Sequence, residues 1–153
     1  MSIDSDIAFF ETVPTLNLLG RAALRILAIG AESRFVQDGE VLFHAGDQAD
    51  SAYVIREGSL ALLPDRAEAR EVVAGPGTLL GELAMVTPTT RLATATAREP
   101  STVLRISRGL FLKMLEAYPQ SARRLRDAMT ARSDNWMGEL ENVRVRWQAR
   151  ESD

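Results

Sequence analysis

The sequence predicts a mainly β fold with flanking helices, a β-roll in the form of a double-stranded jelly-roll barrel. Three observations carry that expectation. Between Ser33 and Ser107, short apolar runs alternate with turns rich in Gly, Pro and Asp. On both sides of this region the apolar period changes to the three-and-four step of a helix. A short helical interruption, predicted at residues 81–86, falls inside the β region itself.

Taken in order, an N-terminal helix is predicted over residues 15–29. Leu16, Leu19, Ala23, Ile26 and Leu27 recur at helical spacing there, and Gly30 supplies a stop. The β-roll is predicted over 33–107. "SRFV" is followed by the turn "QDG", "EVLFHA" by "GDQADS", "AYVIR" by "EGS", "LALLP" by "DRAEA" and "REVVA" by "GPG"; "LATATA" and "STVLRIS" close the region. C-terminal helices are predicted over 108–148. The first, "RGLFLKMLEAYP", ends near Pro119. The second carries Ala122, Leu125, Met129, Ser133, Trp136, Leu140, Val143 and Trp147 in one stripe. That stripe is longer than a small barrel can cover, so a homodimer through 125–147 is expected. No repeat or linker divides the 153 residues, and one domain over 1–153 is expected.

Composition narrows the function. There is no cysteine and only one histidine, His44. Thiol chemistry and disulfides are therefore excluded, and a histidine-built metal centre has too few imidazoles. No G-x-S-x-G elbow is present for a serine nucleophile. The expectation is a binding protein and not an enzyme, with no cofactor and no metal. The net charge is -3, and the arginines of residues 123–150 alternate with acids. Such a pattern reads as a solvated helix face, so no direct DNA binding is expected. The start "MSIDSDIAFF" has no signal-peptide character, and no apolar run is long enough for a membrane. A cytoplasmic chain without membrane association is expected.

One stretch carries chemistry. "GELAMVTPTTRLATATA", residues 81–97, sets a single carboxylate, Glu82, and a single guanidinium, Arg91, among small and apolar residues. Glycine-rich backbone ahead of a short helix presents unpaired amides, which suit an anion. If "TPTT" turns the chain, Arg91 returns over the same spot, and its planar guanidinium matches a phosphate. A glutamate would repel that phosphate, so Glu82 is left for a donor such as a ribose hydroxyl. One phosphate, one sugar hydroxyl and an apolar surround describe a nucleotide with a single, charge-poor phosphate. The same two charges also fit a salt bridge at the mouth of an empty barrel, with the β-roll serving as a dimerisation or scaffold module.

These residues resemble the cyclic nucleotide-binding domain family, of the catabolite activator and protein kinase A regulatory subunit type. The resemblance runs from about Phe10 to Trp147. It rests on "GELA" at Gly81–Ala84, on Arg91 and on "ATA" at Ala93–Ala95, with "AGD", "AYVIREG" and "PG" upstream in the family's order. It implies a phosphate-binding cassette over 81–94. In that cassette Gly81 lets backbone approach the ligand, Glu82 takes the ribose 2′-hydroxyl and Arg91 the cyclic phosphate. Amides around Leu83, Ala84, Leu92 and Ala93 complete the cradle.

Two positions depart from the family pattern: Leu80 stands where Phe is usual, and Leu92 where a small or hydroxyl residue is usual. A hydroxyl after the arginine accompanies cyclic GMP preference in the family, so its absence implies cyclic AMP ahead of cyclic GMP. By analogy with catabolite activator relatives, Trp136 on the long helix stacks on the base. Val54, Leu62, Val73 and Leu83 are candidates for an apolar wall. The resemblance implies a stand-alone cyclic nucleotide receptor without a helix-turn-helix. Ligand binding would reposition its C-terminal helix and change the surface offered to a protein partner.

Overall fold

The structure is a computed structural model and describes residues 2–128 and 130. Ser2 opens the first helix, α1 (Ile3–Phe10): its side-chain oxygen accepts the Ser5 amide at 3.1 Å, and Asp4 and Asp6 occupy the first turn. This helix lies outside the predicted elements, although its cap, its acids and the spacing of buried Ile7 and Phe10 are all local signals. Where a single helix is predicted over 15–29, the chain makes two pieces. A 3-10 turn, Leu16–Leu18, precedes α2 (Arg21–Gly30), and Gly20 separates them at φ 86°. The helical period spans the break because Leu16, Leu19, Ala23 and Leu27 all enter one core.

Among the described residues ten strands follow: β1 (Glu32–Val36), β2 (Val41–Phe43), β3 (Gln48–Ala49), β4 (Ser51–Glu57), β5 (Leu60–Pro64), β6 (Val72–Ala74), β7 (Leu79–Leu80), β8 (Thr89–Thr90), β9 (Ala93–Ala97) and β10 (Ser101–Ser107). Every ladder is antiparallel. One four-stranded sheet runs β1-β10-β4-β7, a second runs β2-β9-β5-β6, and β3 pairs with β8. The jelly-roll-like sheets fit the predicted fold class. The chain then enters α3 (Arg108–Ala117), capped by Ser107, whose Oγ accepts the Leu110 amide at 3.1 Å. Residues 119–128 are helical again.

Strand β4 is buried on both faces, and that defines the two layers of core. Tyr53 and Ile55 point between the sheets, with Leu60, Ala95 and Val103. Ala52 and Val54 point the other way, onto α1, α2 and α3. A register shift at Thr102/Val103 keeps Val103 opposite Ile55 and Leu104 opposite Val54, so β10 serves both layers too. Val54, a candidate wall residue by sequence, therefore faces the helices and not the barrel interior.

Two further expectations concern the C-terminal helix. Leu125, the start of the expected dimer stripe, is 4% exposed and packs within this chain's own core. Met129, Ser133, Trp136, Leu140, Val143 and Trp147 lie outside the described residues. No helix among the described residues is long and apolar enough to cross a membrane.

Helix α1 is tied to β4 by the ion pair Arg56–Asp6, whose side chains are only 12% and 19% exposed, and Arg56 also sits 5.9 Å from the Phe9 ring centroid. Removing one partner strands the other in a poorly solvated position. Arg56→Met is expected to lower unfolding free energy by about 2 kcal/mol, between the values for exposed and fully buried pairs. Urea denaturation measures it; a midpoint equal to that of the wild type contradicts the role given to this pair.

Candidate functional site

The cassette is positioned by short pairings on either side of a sharp turn. Directly after strand β7 comes Gly81, which takes the left-handed conformation at φ 78°, ψ 37°. A single 3-10 turn, Glu82–Met85, follows where a short helix is predicted. Its geometry is closed: the Ala84 amide donates to the Gly81 carbonyl at 3.0 Å, and the Val86 amide to Leu83 at 3.1 Å. Strand β8 then pairs with β3, Gln48 opposite Thr90 and Ala49 opposite Thr89. That ladder delivers Arg91 to a fixed place. Its N–H donates to the Asp47 carbonyl and its own carbonyl accepts the Gly46 N–H, each at 2.8 Å.

With its backbone held twice, Arg91 turns its side chain inward and is 7% exposed. The guanidinium lies 4.5 Å from the Phe43 ring centroid and 5.4 Å from that of Tyr53. The two rings are themselves stacked at 5.9 Å and 28°. This is a cation held on aromatic faces. Nη2 donates to Ser51 Oγ at 3.3 Å, while Nη1 is buried and has no hydrogen-bond partner among the described residues. Among the described residues, no carboxylate satisfies that nitrogen. Burial pushes the Arg91 pKa down, and the neighbouring Tyr53 and Asp50 act in the opposite sense; arginine keeps its charge regardless. Asp50 is held below the ordinary carboxylate pKa by the Ser51 hydroxyl and by Arg105, whose Nη2 lies 3.2 Å from its Oδ2. Ser51 thus links the buried cation to an ion pair at the surface.

The other predicted site residues surround this centre. Gly81 touches it directly: a Cβ there would collide with Arg91 Nη1 and sit 3.4 Å from the Ser51 carbonyl. Glu82 is half-buried at the first position of the 3-10 turn, and Ala84 is fully buried behind it. Leu83 and Leu92 are 52% and 82% exposed. Ala93 is half-buried and pairs with Pro64. Trp136 lies outside the described residues.

The apolar wall needs a change of register. Leu62 pairs with both Ala95 and Val72, so all three project from the inner face, as does Phe43 opposite Ala95. Val73 pairs with Ala61 on the next rung and projects from the opposite face. Val72, at 60% exposed on the inner face, is the residue that completes an open apolar concavity. Phe43, Tyr53, Ser51 and Val72 were not predicted as site residues. Strand alternation alone would have placed Phe43 and Tyr53 inside, but their contact with Arg91 joins segments far apart in sequence. Chemically, the arrangement offers one unsatisfied cationic donor, a nearby carboxylate-bearing turn and an apolar face.

Comparison with known proteins bears on this geometry. The family model described as "Cyclic nucleotide-binding domain" matches residues 33–118. An uncharacterized NTE family protein of Mycobacterium tuberculosis is 34% identical over 144 residues, covering 86% of this chain and 24% of that protein. The chain thus spans about a quarter of that curated relative's length. Among solved structures, a cyclic nucleotide-binding-like protein from Brucella abortus is 40% identical with a TM-score of 0.66, covering 74% of this chain and 99% of that one. The N-terminal domain of a transcriptional regulator from Streptomyces coelicolor A3(2) is 29% identical with a TM-score of 0.74, covering 83% and 91%.

Proposed function

The chain belongs to the cyclic nucleotide-binding domain family, and we propose that it is a receptor that binds cyclic AMP in preference to cyclic GMP. One observation carries this reading. The Arg91 guanidinium is buried and charged, and its Nη1 has no hydrogen-bond partner among the described residues. A buried donor left unsatisfied costs about 1–3 kcal/mol, which a phosphate oxygen would relieve. In this reading Arg91 holds the cyclic phosphate and Glu82 the ribose 2′-hydroxyl. Amides at Leu83, Ala84, Leu92 and Ala93 close the cradle, and Gly81 leaves room for the approach. The Ala84 amide, now donating to Gly81, has to be released to take part. Leu62 and Val72 flank the base, and Trp136 covers it from the C-terminal helix. The concave face is too apolar, and the cationic donor too solitary, for a polyphosphate.

Binding is then read out through the C-terminal helix, which repositions over the ligand and changes the surface offered to a protein partner, with a homodimer as the working form. Such coupling requires the ligand to favour one helix position over the other. The receptor acts as a binding module, through protein contact and not through DNA or catalysis.

A thermal-shift titration tests the reading. At a hundredfold excess over its dissociation constant, a ligand stabilises the folded state by about 2.7 kcal/mol. Cyclic AMP is expected to raise the melting temperature by several degrees, and linear AMP, with its second negative charge, is not. No rise with either cyclic nucleotide in ligand-free protein would contradict it.

Selectivity is assigned to Leu92. Its side chain is 82% exposed, so Leu92→Thr is expected to leave stability unchanged. The added hydroxyl is expected to shift the cyclic GMP to cyclic AMP affinity ratio about tenfold toward cyclic GMP, the worth of one good hydrogen bond. Competition binding reads the ratio; an unchanged value removes Leu92 from the choice of base.

A further inference from the structure

Arg108 joins the segment that carries Glu82 to the one that delivers Arg91. It is the first residue of α3, directly after β10, and its own N–H donates to the Asp50 carbonyl at 2.8 Å. From that anchored root the side chain forks. Nε donates to the Ala84 carbonyl at 3.0 Å, and Nη2 to the Ala49 carbonyl at 2.7 Å. Ala84 belongs to the 3-10 turn that begins at Glu82. Ala49 belongs to β3, whose pairing with Thr89 and Thr90 places the residue that follows them, Arg91. Ala84 is 0% exposed and Ala49 3% exposed, so water has little access to replace either bond.

We propose that Arg108 is a positioning residue for the phosphate cradle, fixing the distance between the turn that carries Glu82 and the strand that delivers Arg91. The inference rests on the cyclic nucleotide reading of the site. Both side-chain bonds go to backbone carbonyls, so the role is geometric. A guanidinium presents donors in a rigid, divergent fork that reaches two carbonyls at once; a lysine ammonium is a single point on a flexible stem and cannot hold both in the same geometry. Without the fork, the 3-10 turn and the β3–β8 ladder lose their shared tie, and the amides and the guanidinium no longer converge on one phosphate.

The test compares Arg108→Lys with Arg56→Lys, which weakens the α1 attachment away from the cassette, in the full chain; Arg108→Gln serves as a second variant. Both lysine variants are expected to lower the melting temperature. Only Arg108→Lys is expected to weaken cyclic AMP binding, by about tenfold, with Arg56→Lys within about twofold of wild type. Without ligand, amide hydrogen exchange at residues 81–86 and 89–91 is expected to rise in Arg108→Lys and not in Arg56→Lys. Exchange unchanged at those residues, or equal loss of affinity in the two variants, overturns the proposal. Locally raised exchange in Arg108→Lys combined with no cyclic AMP binding by the wild type sinks the functional reading and leaves the positioning role standing.

Discussion

Arg91→Ala is expected to abolish cyclic AMP binding while leaving the unliganded protein about as stable as before. The two halves of that result have separate causes. Binding is lost because a charge-assisted hydrogen bond from a guanidinium contributes about 1.5–3 kcal/mol, and a bidentate phosphate contact makes two. Affinity therefore falls by at least about a hundredfold. Stability is spared because the side chain is not well satisfied without a ligand. Burial disfavours its charge, and Nη1 has no hydrogen-bond partner among the described residues. Removing it takes away that penalty together with the attraction to Phe43 and Tyr53, about 0.5–2 kcal/mol for each ring. The opposing effects leave a net change within about 1 kcal/mol. Arg91→Lys keeps the charge without the fork and is expected to fall between wild type and alanine. Calorimetric titration and urea denaturation on the same preparations measure both halves. A variant that unfolds but, where folded, binds normally would make Arg91 a core residue and nothing more.

Gly81→Ala is expected to damage both properties at once. At φ 78° an L-residue pays a conformational penalty of about 1–2 kcal/mol. Its methyl group would also meet Arg91 Nη1, so the guanidinium must leave its place over Phe43 and Tyr53. A loss of about 2 kcal/mol in stability and of about a hundredfold in cyclic AMP affinity is expected. Gly77→Ala supplies the comparison. Gly77 has φ 86° as well, but an added Cβ meets nothing within 4 Å. That variant is expected to lose stability from strain alone and to bind as wild type does. If both alanine variants bind equally well, the contact between Gly81 and Arg91 has no part in recognition.

The sequence was most legible where local signals bounded a segment. "LALLP" and "STVLRIS" coincide with β5 and β10 because turn residues close both ends and the strands are long enough to show a pattern. The two-residue strands β3, β7 and β8 show none, since two residues carry no period. Helical spacing ran through Gly20 because the 3-10 turn and α2 bury their apolar residues in the same core, so burial kept a rhythm that the backbone did not.

In the site, the types and order of "GELA" and Arg91 were enough to point at the cyclic nucleotide-binding domain family. What surrounds the arginine was not legible. Phe43, Tyr53 and Ser51 reach it through strand pairing and sheet packing, and the choice of Val72 over Val73 depends on a register that a short apolar run leaves open. Arg108 was hidden for the same reason. Its partners are backbone carbonyls, which no residue type announces.

Isothermal titration of cyclic AMP into the full chain, refolded from denaturant to remove any nucleotide carried from the host, tests the receptor reading most directly. Binding at one site per chain with micromolar or tighter affinity, and weaker binding of cyclic GMP, is the expected result. Absence of heat with both nucleotides, in protein shown to be folded, would contradict it and leave the β-roll a scaffold with a buried arginine unexplained.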